Sequence, residues 1–202
     1  ESGDFAGLVD IGGGRQMFLQ CRGQGGATVV LISGFGNPGG AWTVLPDGVA
    51  SPAVLPGVAG FTRVCTYDRP GTLLDADPPD NKSRSDPIPQ PTTADAMVAD
   101  LHALLTAADV PGPYILAGHS FGGLVSRLYA ATYPDDVAGI VLVDAFSEGV
   151  RAGLTPEDWE IWTTTNGVPS PELLAMEPNL EQTDINAAAD AVEQATTARP
   201  LP

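Results

Sequence analysis

Residues 112–123 read Gly112-Pro113-Tyr114-Ile115-Leu116-Ala117-Gly118-His119-Ser120-Phe121-Gly122-Gly123. A short apolar run follows a Pro-Gly-Pro turn and ends on Gly118. Residues 121–133 then read as a helix that Pro134 stops. Strand, tight bend and helix therefore follow one another with G-x-S-x-G at the bend. Such a bend brings positions 118 and 122 close together, where side chains would clash. The serine between them is held in a strained conformation with its oxygen projecting past the sheet edge. The first peptide N–H of the helix, at Phe121, points to the same place, and the helix dipole adds positive potential there. Ser120 is thus a candidate nucleophile and the Phe121 amide a candidate donor to a developing oxyanion.

Working outward, the chain alternates strands and helices. Residues 9–16 and 16–21 read as a hairpin about a glycine turn. Residues 28–32 form a β-branched apolar run of the kind covered on both faces. The glycine-rich loop Ser33-Gly34-Phe35-Gly36-Asn37-Pro38-Gly39-Gly40 follows, then a strand over 61–67. With six prolines, residues 70–91 read as an irregular surface loop. Thr92 with Asp95 resembles a capping box, opening a helix whose stripe is Met97, Leu101, Leu104, Leu105 and Ala108. Another buried strand is read over 139–143. This order predicts an α/β fold, a mostly parallel sheet with an N-terminal antiparallel hairpin.

After Asp144 the character changes. Thr155-Pro156-Glu157-Asp158 starts a helix, with Leu154 and Trp159 spaced as a hydrophobic staple. A further helix is expected from about 180 to 197, and no strand follows either one. The expected division is residues 1–148 as an α/β core and 149–202 as a helical cap segment. Residues 166–178, acidic and proline-marked, read as a nick or hinge region.

The 202 residues carry 9 basic and 25 acidic side chains, a net charge of −16. Such a surface repels phosphate backbones and anionic lipid, which argues against nucleic acid and membrane-surface partners. No apolar run is long enough to span a bilayer. Two histidines and two cysteines cannot build a His/Cys zinc site, and no metal or organic cofactor is implied. Cys21 and Cys65 each sit in an apparent strand, as two small buried core residues or as one disulfide. The start of the chain lacks a basic region followed by an apolar one, so the protein is cytosolic or has lost its signal.

The segments Leu31-Ile32-Ser33-Gly34-Phe35-Gly36, Val64-Cys65-Thr66-Tyr67-Asp68-Arg69-Pro70-Gly71, residues 112–123 and Ile140-Val141-Leu142-Val143-Asp144 together resemble the α/β-hydrolase fold. The likeness is to exported bacterial serine esterases and lipases, and it covers roughly the first three quarters of the chain. It implies that the strands of Cys21 and Cys65 are neighbours, which favours the disulfide and a secreted or cell-envelope protein. It also implies that the Phe35 amide joins that of Phe121 in an oxyanion hole. Haloalkane dehalogenases and some lipases place an acid at the position of Asp144, but most esterases carry theirs after the next strand, and Asp144 is read first as a cap or turn residue and second as the acid. Asp68 and Arg69 are read as fixing the turn after their strand.

A serine nucleophile needs a base, and the resemblance places a histidine after the last strand. His102 sits mid-helix, His119 precedes the serine, and Lys82 lies in the proline-rich loop. The fold is therefore expected to be truncated before its last strands, with the base on a C-terminal part outside this chain. Leu154, Trp159, Ile161, Trp162, Leu173, Leu174 and Met176 either line an acyl pocket or pack the cap on the body. The expected activity is ester hydrolysis through Ser120. A non-catalytic acyl-ligand binding module is the alternative. A dinucleotide oxidoreductase is a third reading, because Gly34-Phe35-Gly36-Asn37-Pro38-Gly39 matches G-x-G-x-x-G. Against it, no helical period follows and Pro46, Pro52 and Pro56 interrupt the next stretch.

Overall fold

The computed structural model describes residues 3–45, 48–73, 82–147 and 149–198. Strands β1 (Phe5–Gly12) and β2 (Arg15–Arg22) form the hairpin. Its turn needs positive φ at Gly13 and Gly14, 65° and 75°, which glycine adopts at no steric cost. β3 (Val29–Ile32), β4 (Val64–Tyr67), β5 (Tyr114–His119) and β6 (Val137–Val143) complete a six-stranded sheet in the order β1-β2-β4-β3-β5-β6. β2 pairs antiparallel with β1 and β4, and the remaining pairings are parallel. This is the mostly parallel mixed sheet with an N-terminal antiparallel hairpin that the sequence predicts.

Period-two alternation sends neighbouring side chains to opposite faces. Leu31, Val64 and Ala117 pack on one face with Trp42 and with Leu55 of α1 (Val54–Ala59). Val30, Ile32, Cys65 and Leu116 pack on the other, beneath α2 (Ala94–Ala107) and α3 (Phe121–Thr132). The stretch after β6 holds α4 (Gly149–Gly153), α5 (Pro156–Thr165), α6 (Pro171–Met176) and α7 (Ile185–Ala198). Helix α7 lies against α3 and α2, and its Ile185, Ala188 and Val192 share their hydrophobic cluster.

Several boundaries differ from the sequence expectation. Helix α2 is capped by Thr93, whose hydroxyl accepts from Ala96 N–H at 3.1 Å. Thr92 instead pairs with Thr183 in an isolated bridge. Helix α1 was unanticipated; Pro56 lies in its first turn, where a missing N–H costs nothing. The last helix starts at Ile185, because 180–183 are taken up in contacts with the loops after β4 and before α2. Within the expected loop 70–91, residues 74–81 lie outside the described residues. Within the expected hinge 166–178 stands α6.

A disulfide joins Cys21 and Cys65, directly paired residues of β2 and β4. Bridging 44 positions stabilises by about 4 kcal/mol in the chain-entropy view. Among the described residues no helix is long and apolar enough to cross a membrane. At the far edge of the sheet, β6 leaves Val141, Leu142 and Val143 half exposed.

Candidate active site

Ser120 is the N-cap of α3, with φ 50° and ψ −124°. A non-glycine residue there stores strain of about 1–3 kcal/mol. The neighbouring glycines make it possible. A Cβ at 118 would lie 2.4 Å from Gly122 O, one at 122 only 2.2 Å from Ile32 O, and one at 123 2.3 Å from Ala145 Cβ. The start of α3 is therefore pressed against the ends of β3 and β5 with no room for side chains. The serine backbone is fixed from both sides: Ser120 N donates to Val143 O at 3.2 Å, and Phe146 N donates to Ser120 O at 2.9 Å.

The loop after β3 comes up to the same point. A Cβ on Gly34 would stand 3.3 Å from Ser120 Cβ and 3.1 Å from His119 Nδ1. The Phe35 and Phe121 rings meet edge to face at 6.0 Å. No acceptor stands on the N–H of Phe35 or Phe121 among the described residues. The glycine run 34–39 leads into a 3-10 turn at Gly39–Thr43 and opens no α-helix, so it offers no helix N-terminus to a pyrophosphate.

Two cavities flank this loop. One, of about 280 Å³, is lined by Ser33, Asn37, Trp42, Val54 and His119 among others. The other, of about 220 Å³, is almost wholly apolar and lies between Phe35, Leu73, Leu173 and Leu180. Leu173 thus stands beside the loop after β3. Trp159 and Trp162 line neither cavity. They stack with Phe146, at 6.3 Å and 4.8 Å, and Trp159 Nε1 donates to Asn186 Oδ1 at 2.6 Å.

Asp144 follows β6 with φ 43° and is exposed, one residue past the carbonyl that holds Ser120 N. No hydrogen-bond partner of its carboxylate is present among the described residues. His102 is engaged elsewhere. Its ring stacks on Tyr133 at 3.9 Å, and Nδ1 lies 3.2 Å from Tyr129 Oη and 3.3 Å from Asp136 Oδ2. That cluster is at the C-terminal end of α3, roughly 18 Å of helix away from Ser120. Burial, with Asp136 among the nearby charges, pushes the Tyr129 phenol up. His119 is exposed, its ring edge-on to Trp42 at 6.3 Å.

Sequence reasoning missed the network under the loop after β3. Asp68 is fully buried and does fix its turn: Oδ1 accepts from Gly39 N at 2.9 Å, and Arg84 forks onto both oxygens at 2.7 and 2.9 Å. Arg69 does more. Nη1 donates to Ser33 O at 2.9 Å, Nη2 to Gly34 O at 2.7 Å, and Nε and Nη2 to the Glu181 carboxylate at 2.5 and 3.1 Å. Glu181 Oε2 also accepts from Gly36 N at 2.6 Å. Burial opposes the Arg69 charge, but attraction and hydrogen bonding from Glu181 outweigh it and hold the guanidinium above its ordinary value. Burial also pushes the adjacent Tyr67 phenol up to about 12. A charged residue directly after a buried strand was the available signal, but its partner lies 112 positions away.

The model of the alpha/beta hydrolase family matches residues 29–201. Lipase LipV of Mycobacterium tuberculosis is 48% identical over 58 residues, covering 29% of this chain and 22% of that protein. Lipase 3 of Moraxella is 26% identical over 151 residues, covering 73% of this chain and 42% of that protein. The crystal structure of Cfl2 from Burkholderia cenocepacia superposes with TM-score 0.64 and 25% identity, over 88% of this chain and 56% of that one. The chain spans less than half the length of the curated relatives it matches.

Proposed function

The chain belongs to the alpha/beta hydrolase family, and from that premise we propose that it hydrolyses carboxylic esters through an acyl-enzyme at Ser120. Ser120 Oγ attacks the ester carbonyl and gives its proton to a histidine base. The amides of Phe35 and Phe121 take up the charge on the carbonyl oxygen. Collapse expels the alcohol, which receives the proton, and water repeats the sequence to release the acid. One observation carries this reading: a serine at φ 50° between glycines that admit no Cβ, at the N-terminus of a buried helix. A fold has no packing reason to maintain that conformation at a serine.

The base comes from a segment beyond these 202 residues, and Asp144 is the acid that orients it. Of the two histidines in the sequence, His102 is held at the wrong end of α3 and His119 faces Trp42. The half-exposed apolar edge of β6 supports a further parallel strand there, brought by the same polypeptide or by a companion fragment. The disulfide supports an exported protein in an oxidising setting. Leu173 and its cavity beside Phe35 supply acyl-binding surface, while Trp159 and Trp162 stiffen the cap that carries it.

Neither His102 nor His119 is hydrogen-bonded to the Ser120 hydroxyl among the described residues, which favours a second reading, an acyl-ligand binding module without turnover. An alkyl fluorophosphonate separates the two. Labelling of Ser120 in the native preparation, abolished in Ser120→Ala, is the expected result, with intact mass showing the polypeptide that brings the base. A folded native preparation that binds acyl ligand but takes up no label would establish the binding module.

A further inference from the structure

Arg69 and Glu181 are both buried, at 3% and 1% exposure of their side chains. A buried ion pair is a poor source of stability; an apolar pair of similar volume often serves as well or better. What an apolar pair cannot do is hold main-chain groups in a chosen orientation. Here the guanidinium fork takes two successive carbonyls of the oxyanion loop, Ser33 and Gly34, while the carboxylate takes the Gly36 N–H.

The peptide unit is planar and trans, so its N–H points opposite to its C=O. Turning the Gly34 carbonyl onto Arg69 turns the Phe35 N–H away from it. The same unit begins at the glycine that abuts Ser120 Cβ. Glu181 is itself fixed, because its N–H donates to Gly71 O at 2.9 Å. Gly71, at φ 79°, lies so close beneath that a Cβ there would be 2.4 Å from Asn179 O and 2.6 Å from Glu181 N. The contact runs from the stretch between α6 and α7, through two buried charges, to the loop beside the nucleophile.

We infer that Arg69 and Glu181 are positioning residues of the oxyanion hole, the pair that aims the Phe35 amide, so that the segment after α6 completes the site. This rests on the serine reading above and names the device that sets its geometry. Lysine at 69 keeps a charge for Glu181 but has no planar fork to hold both carbonyls.

The test uses the native protein and three variants: Arg69→Lys, Glu181→Gln, and the apolar exchange Arg69→Met with Glu181→Leu. The second-order rate of fluorophosphonate labelling at Ser120 is expected to fall about 10- to 100-fold in each, less than the roughly 100- to 1000-fold of losing an oxyanion donor outright, because the amide is misaimed and not removed. Ester turnover should lose kcat with KM within about twofold, since the hole acts on the transition state. A purely structural pair would be rescued by the apolar exchange, so a folded double variant that labels at the native rate overturns the inference. Should the double variant not fold, native-rate labelling of folded Arg69→Lys has the same force. A crystal structure of a folded variant gives a readout that does not depend on labelling. The Gly34–Phe35 peptide should leave its native orientation, and an unmoved peptide plane overturns the inference even if the native protein takes up no label.

Discussion

The two ends of α3 are built on opposite principles. At its N-terminus Gly118, Gly122 and Gly123 remove side chains so that the helix closes on its neighbours, and Ser120 is left strained with no acceptor on the Phe35 or Phe121 N–H among the described residues. At its C-terminus Tyr129, Tyr133, His102 and Asp136 fill the space with rings and satisfy one another. A helix that needed only to be stable would be finished everywhere as it is at Tyr133. The contrast separates the end that stabilises from the end proposed to react, and it places His102 in the former, stacked on Tyr133 and away from Ser120.

The sharpest attack on that contrast is Ser120→Gly. Glycine adopts the strained conformation freely, so thermal unfolding should show a gain of about 1 kcal/mol while phosphonate labelling disappears altogether. A loss of stability would mean that the serine is there to pack. Next comes Gly122→Ala. Its methyl would meet the main-chain oxygens of Ile32 and Ser33 at 2.2 and 2.7 Å, neither of which can swing aside. Denaturant unfolding should report a cost of about 3 kcal/mol, accompanied by slower labelling because the Phe121 amide moves with the helix. The mildest change is His102→Phe at the other end. It retains the ring stack on Tyr133 but strands the buried Tyr129 hydroxyl, costing about 1–2 kcal/mol. Labelling should stay within about twofold. If it collapsed instead, His102 would be acting on the serine and the two ends would not be independent.

The N-terminal end was the more legible in sequence, for a physical reason. A bend that excludes side chains has to be written in glycine, and residues 118, 122 and 123 stand together in the chain. The same holds for the β-branched run of β3 and the start of α5, capped by Thr155 with Pro156 at its first position, each a local rule satisfied locally. What was hidden depends on distance. Nothing in the spacing of Arg69 and Glu181 announces that they touch, and hydropathy does not say whether Trp159 and Trp162 face a cavity or stack on Phe146. Thr92 and Thr93 are both competent caps, and the choice fell to Thr93 because Thr92 is engaged with Thr183. Helix α1 escaped notice because six residues containing Pro56 show no usable period.

The outer strand of the sheet has a practical consequence for anyone handling this polypeptide. Val137–Val143 carries neither charge nor proline, and it offers unsatisfied main-chain donors and acceptors beside exposed valine and leucine. Left uncovered, such a ribbon is a template for like ribbons, and the strong negative charge of the molecule is the chief force keeping copies apart. Salt screens that repulsion and leaves the adhesive strand untouched. Added electrolyte, ordinarily a harmless choice of buffer, should here be what brings copies of the chain out of solution.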